Sequence, residues 1–252
     1  MQLGLKLFSI NQPYVLEALK LYEAQVFDYI ELYAYPQSFK ETIGFWKDLP
    51  IPFIIHAPHF GHGMNLACKE KKYSNQQLAH EAFLFADKLK APWVVFHPGV
   101  EGNQEETIRQ IQGIFDSRIL IENKPYYSTD KKYVCRGWGV EELQAICQTT
   151  KTGFCLDFGH AICAANSKKE DVLLFLQKLL ALKPALYHLT DGHFKGETDT
   201  HLHFEQGDYP IAKLFSFIPQ KSFITNEATK DYPDSLKDFQ QDMYYLKKLL
   251  EF

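Results

Sequence analysis

The sequence reads as an α/β protein, a (β/α)8 TIM barrel forming a single domain over residues 1–252. Three observations predict this. The chain has 252 residues, and one such barrel takes about 250. Short apolar, β-rich runs alternate with longer amphipathic segments, and the alternation repeats through eight strands. No internal repeat, low-complexity stretch or Pro/Gly/Ser-rich linker marks a domain boundary.

The strand runs cover residues 3–9, 27–33, 52–56, 93–97, 119–122, 153–157, 185–190 and 222–227. IPFII and PWVVF are almost wholly apolar, as strands buried on both faces of a parallel sheet are. Helical periodicity falls at 14–23, 76–88, 105–115, 141–148, 169–182 and 236–250. In the last of these, Leu236, Phe239, Met243, Leu246 and Leu250 share one face of a 3.6-residue repeat. A doubly wound open sheet would give a similar alternation. Three connections, 57–75, 123–139 and 191–209, are longer than the rest. Each follows a strand, and loops on that side of a barrel carry the chemistry.

Composition narrows the class. Hydrophobic residues make up 46% of the chain and aromatic residues 15%, enough for a sizeable core. The net charge of −4 gives no basic footprint of the kind a nucleic-acid binder carries. The five cysteines lack CxxC spacing and read as reduced thiols. With no long apolar run and no leader-like start, the expectation is a soluble cytoplasmic protein with no membrane partner.

The strand ends are the informative positions. Run three ends at His56, run four at His97, run five at Glu122 and run six at Asp157, with His160 three residues on. Run seven carries His188, run eight ends at Glu227, and the loop after run seven holds Asp199 and His201. A barrel brings all its strand ends to one rim, so these scattered residues converge. A lone His or Asp at a strand end is usually a cap or network residue. Six of eight strands ending this way points instead to a metal centre, because ionisable groups beside buried strands are costly unless paired or metal-bound. Imidazole and carboxylate together suit zinc, manganese or iron.

Glu31 reads as the end of run two, serving a buried network or touching substrate. His59 and His62 lie in the third loop as substrate contacts or solvated side chains. His80 belongs on a helix surface, and His193 and His203 flank the ligand loop in supporting or idle positions. Asn123 and Asp191 are placed to orient ligands.

Read in order, HAP, HPG, IEN, LDFGH, HLTD, DTH and the eighth-run Glu resemble the xylose isomerase-like barrels, and more narrowly endonuclease IV (AP endonuclease family 2). That resemblance implies a trinuclear zinc site that activates a hydroxide to hydrolyse a DNA phosphodiester 5′ to an abasic site. By motif, His56 and His97 would hold one metal and Glu122 would bridge it to a second, completed by Asp157, His188 and Glu227. His160, Asp199 and His201 would hold the third.

The sugar isomerases and epimerases of the same superfamily need only the Glu122, Asp157, His188, Glu227 quartet, holding one divalent ion such as Mn2+ or Mg2+. There Glu122 and Glu227 would act as acid and base and His160 would touch substrate. His56, His97, Asp199 and His201 favour the hydrolase; they have no role in the isomerase. A degenerate barrel keeping metal only for stability is a third reading.

The DNA-gripping features differ from the endonuclease pattern. Gly-Glu-Gly becomes Glu205-Gln206-Gly207, Gln37 lies in the second loop where an Arg is expected, and His59 takes the place of a DNA-contacting Tyr. The chain has three arginines, Arg109, Arg118 and Arg136. Lys124 and Arg136 are therefore the expected cations for a smaller phosphorylated, sugar or acidic substrate, the alternative to abasic DNA.

Overall fold

Eight short parallel strands close on one another: β1 (Gln2–Phe8), β2 (Tyr29–Tyr33), β3 (Phe53–His56), β4 (Val94–Phe96), β5 (Ile119–Glu122), β6 (Gly153–Asp157), β7 (Leu186–His188) and β8 (Phe223–Asn226). Each pairs with its neighbour in sequence order and β8 returns to β1, so the sheet is a closed barrel. These elements are those of a computed structural model that describes residues 1–250. Residues 251 and 252, the end of the expected domain, lie outside the described residues.

The outer ring consists of α1 (Val15–Glu23), α2 (Phe39–Trp46), α3 (Lys72–Leu89), α4 (Gln104–Gly113), α5 (Val140–Thr150), α6 (Phe158–Lys168), α7 (Val172–Leu180), α8 (Ile211–Phe215) and α9 (Lys237–Leu250). The helical segment expected at 169–182 is α7 alone. Lys169 adopts a left-handed backbone (φ 58°) that ends α6, and the Asp171 side chain accepts from Leu174 N–H to start α7. No helix was expected at 158–168. Every residue from Phe158 to Ala165 is buried, so α6 has no polar face to reveal its period. Among the described residues, no helix is long and apolar enough to cross a membrane.

Alternation along a strand sends every second side chain into the barrel. Tyr29, Ile54, Val95, Leu120, Cys155 and Leu186 form one buried cluster at the barrel floor. Gly4 on β1 admits the Tyr29 ring, since a Cβ at Gly4 would lie 2.3 Å from it. Two residues further along the same strands stand Glu31, His56, His97, Glu122, Asp157 and His188. The interior thus passes from apolar to ionisable within one strand repeat, about 7 Å.

Candidate metal centre

Glu122, at the end of β5 and fully buried, is the hub of the rim. Its Oε2 lies 3.1 Å from His56 Nε2 and 3.0 Å from His97 Nε2, and its Oε1 lies 2.9 Å from His160 Nδ1. β3 and β4 bring the two histidines there, His97 as the first residue beyond its strand. Burial pushes the Glu122 carboxyl up, but His97 and Lys124 outweigh it and hold the group well below the usual carboxylate range.

His188 occupies the centre of a second group. Its Nε2 is 2.9 Å from Glu31, while its buried Nδ1 has no hydrogen-bond partner. That nitrogen faces Glu227 at 3.3 Å, Glu122 at 3.6 Å and Asp157 at 3.9 Å. A carboxylate on one ring nitrogen, with the other turned to a ring of acceptors, is how metal-ligating histidines are oriented. Asn123 fixes Asp157 from behind, donating to its carbonyl at 2.8 Å and accepting from its N–H at 2.7 Å.

A third group forms where α6 begins. Asp157 Oδ1 accepts from His160 N–H, capping α6 and turning the imidazole into the rim. His160 Nε2 lies 3.4 Å from Asp199 Oδ2, and His201 Nε2 lies 2.9 Å from the same oxygen. Asp199 Oδ2 nonetheless has no partner in hydrogen-bonding geometry. The loop carrying Asp199 and His201 is shaped by Asp191, whose carboxylate accepts from the backbone N–H of Glu205, Gly207 and Tyr209. Asp191 therefore orders the loop backbone.

These donors fit divalent ions. His56, His97 and Glu122 form one group able to hold a metal, His160, Asp199 and His201 another, and the rim beneath adds Glu122, Asp157 and His160. Orphaned buried atoms at His188 Nδ1 and Asp199 Oδ2 are otherwise unexplained. Burial pushes the Asp157 carboxyl up to about 6; His160 opposes this, and Asp199, Glu122 and Glu227 add to it. At His201 burial works downward, yet Asp199 lifts the imidazole to about 9.

The cleft above the rim has a volume of about 630 Å³ and is lined by His56, His59, His97, Glu122, Lys124, His160, Asp199, His201 and Glu227. Two of the residues expected to contact substrate are not among those lining this cleft. Arg136 does not line the cleft; its Nε lies 3.6 Å from Glu142 near the start of α5. Glu31 sits mid-strand rather than at a strand end, is fully buried, and also lies outside the cleft. It accepts from Thr225 at 2.5 Å and from Lys6 at 2.6 Å.

Sequence reasoning missed Lys6 altogether. This residue of β1 lines the cleft and bonds both Glu31 and Glu227. Burial works against its ammonium, but Glu227, Glu31 and Glu122 hold its pKa above the ordinary lysine value. Cys155, which groups with Glu122 and His188, was missed as well. Lys124 is more deeply involved than expected, its Nζ lying 3.3 Å from His97, 3.2 Å from His160 and 3.4 Å from Glu122.

A closed parallel barrel with imidazoles and carboxylates gathered on its rim defines a metal-competent enzyme scaffold. The chain belongs to the xylose isomerase-like TIM barrel family, whose model matches residues 19–249. No curated protein matches it in sequence. Solved structures match over its whole length. A D-tagatose 3-epimerase-like protein aligns with a TM-score of 0.75 and 18% identity, covering 100% of this chain and 97% of that one. Endonuclease IV from Thermus thermophilus aligns with a TM-score of 0.74 and 21% identity, covering 100% and 99%. A second Thermus thermophilus protein, soaked with ZnCl2, aligns with a TM-score of 0.70 and 18% identity, covering 100% and 98%. At such identities the likeness is one of fold, and it spans both nuclease and epimerase relatives.

Proposed function

We propose that the chain is a metal-dependent phosphoester hydrolase of the endonuclease IV type, with two or three Zn2+ ions at the rim. One observation carries this reading: His56, His97, Asp199 and His201 converge on the cleft together with the Glu122, Asp157, His188, Glu227 quartet. A mononuclear isomerase has no use for the first four. Divalent ions held by these groups would polarise the phosphoester and lower the pKa of water.

The protein's own side chains define the rest. Lys124 presents a positive charge to the cleft beside His97 and His160, a partner for a phosphoryl oxygen. Lys6 holds Glu227 and Glu31 in register. Tyr33 donates no charge but braces the entrance, its hydroxyl accepting from His59 N–H at 2.9 Å and its ring stacking on His56. Abasic-site DNA and smaller phosphodiesters are the substrate classes for this site.

Sugar epimerisation is the second reading, favoured by the placement of Glu227 and Glu122 at 3.3 and 3.6 Å from one His188 nitrogen. In that case they would move a proton between neighbouring carbons. Elemental analysis of chelator-free protein, paired with cleavage of an abasic-site duplex and of bis(p-nitrophenyl) phosphate, separates the two. Two or three zinc ions at the rim with phosphodiester cleavage are expected. A single ion there with ketose epimerisation and no hydrolysis would overturn the hydrolase.

A further inference from the structure

The pattern found at His188 occurs again at His203, away from the cleft. His203 lies in the loop between β7 and α8 and is only 6% exposed. Its Nδ1 is 2.7 Å from Asp242 Oδ2 on α9. That carboxylate also accepts from Asn226 at 2.9 Å and from Phe204 N–H at 3.0 Å, so Asp242 is fixed as an acceptor and keeps the imidazole proton on Nδ1. His203 Nε2, buried and without a hydrogen-bond partner, then turns a lone pair towards two carboxylates. Asp231 Oδ2 lies 3.6 Å away and Asp238 Oδ2 lies 3.8 Å away.

Asp238 Oδ2 also accepts from Asp231 N–H at 2.6 Å, but the imidazole lone pair facing the two carboxylates has no donor, an arrangement that a cation would complete. Ligands of one tetrahedral zinc at its usual bond lengths stand about 3.4 Å apart, close to these separations. The neighbouring ammonium of Lys230 is turned to the Ala228 carbonyl instead. We propose that His203, Asp231 and Asp238 form a second divalent-cation site, with Asp242 orienting the histidine. One nitrogen and two carboxylate oxygens suit Zn2+ or Mn2+.

The site would be structural and would act on the cleft through the chain. Asp231 follows directly on Ala228, Thr229 and Lys230, all of which line the cleft. Thr229 N–H donates to the His201 carbonyl at 3.2 Å. A cation joining Asp231 to Asp238 on α9 and to His203 would pin that segment, and with it the loop that carries His201.

The test is Zn2+ stoichiometry of the full chain by elemental analysis after dialysis, in the wild type, His203→Asn and Asp231→Asn. The exposed position of Asp231 makes its variant the safer one for folding. Each variant should bind one equivalent fewer than the wild type. In a Glu122→Gln chain, damaged at the rim, added Zn2+ should still raise the melting temperature by several degrees, and Asp231→Asn in that background should remove the rise. An unchanged stoichiometry in both variants, whatever the total, or a melting temperature in Glu122→Gln that does not respond to Zn2+, overturns the site.

Discussion

The floor of the barrel and its rim are made by the same strands two residues apart, yet they obey opposite rules. At the floor, Val95, Leu120, Cys155 and Leu186 are within 3% exposure of full burial and touch one another. At the rim, the next inward residues are as deeply buried at Glu122 and His188, and all are ionisable. Dispersion and apolar burial hold the floor together, so any one side chain contributes a share of a diffuse total. The rim depends on charge balance, where removing one partner strands another in a medium that solvates it poorly. The two layers should therefore fail differently: the floor by losing stability alone, the rim by losing stability only until a cation restores the balance.

Lys6→Met gives the largest break in this contrast. It leaves Glu31 and Glu227 without their shared ammonium, which should cost about 3–5 kcal/mol, as breaking a buried ion pair does. Urea denaturation of chelated protein would read the loss, and added Zn2+ or Mn2+ should recover part of it. Recovery by neither ion would mean that no divalent cation balances the rim carboxylates in place of Lys6. Glu122→Gln comes next. It weakens the hub that meets His56, His97 and His160, so the proposed phosphodiester cleavage should fall about 10²–10³-fold, the usual cost of losing a preorganised electrostatic group. Metal at the rim should fall with it. Leu120→Ala, directly beneath Glu122, is the floor counterpart. It should cost about 2–3 kcal/mol, towards the low end for a buried leucine, with rim metal content unchanged; a loss of metal there would show that the layers are not separable.

The rim was legible in the sequence because six of the eight apolar runs carry an ionisable residue at or near their end, and that pattern survives in one dimension. His56, Glu122 and Asp157 are strand-terminal, while His97 and Glu227 stand one residue beyond their strands. Lys6 was invisible for the complementary reason. It sits in the middle of β1, and only counting inward positions from Gly4 would have shown that a lysine flanked by leucines points into the barrel. Helix α6 escaped because burial on all sides removes the polar face that periodicity needs. The direction of Arg136 was not legible because loop residues have no alternation to fix it, and its neighbour Glu142 was not apparent. His203 was left between a supporting and an idle position for the same reason, since Asp242 lies 39 residues away on α9.

The effect that is smallest at neutral pH concerns His59, at the mouth of the cleft. Burial first, and then the charges of Lys124, His62 and His56, pull its imidazole down from 6.5 to about 3. Its Nδ1 already accepts from Gly61 N–H at 3.0 Å, a bond that protonation at that nitrogen would break. The native protein therefore binds fewer protons than the unfolded chain between these two values. His59 contributes stability that is fully present above pH 6.5 and lost as pH falls towards 3. Glu31, held at about 2 because His188 and Lys6 outweigh its burial, adds a second loss that begins only below its ordinary value of 4.5. The denaturation midpoint of chelated protein should thus decline in two stages on acidification, with His59→Asn moderating the first and Glu31→Gln the second. Proton NMR gives the sharper reading: the His59 ring resonance should stay unshifted from about pH 8 to about pH 5, well above the depressed value. A titration midpoint near 6.5 would place His59 in bulk solvent and remove it from the wall of the cleft.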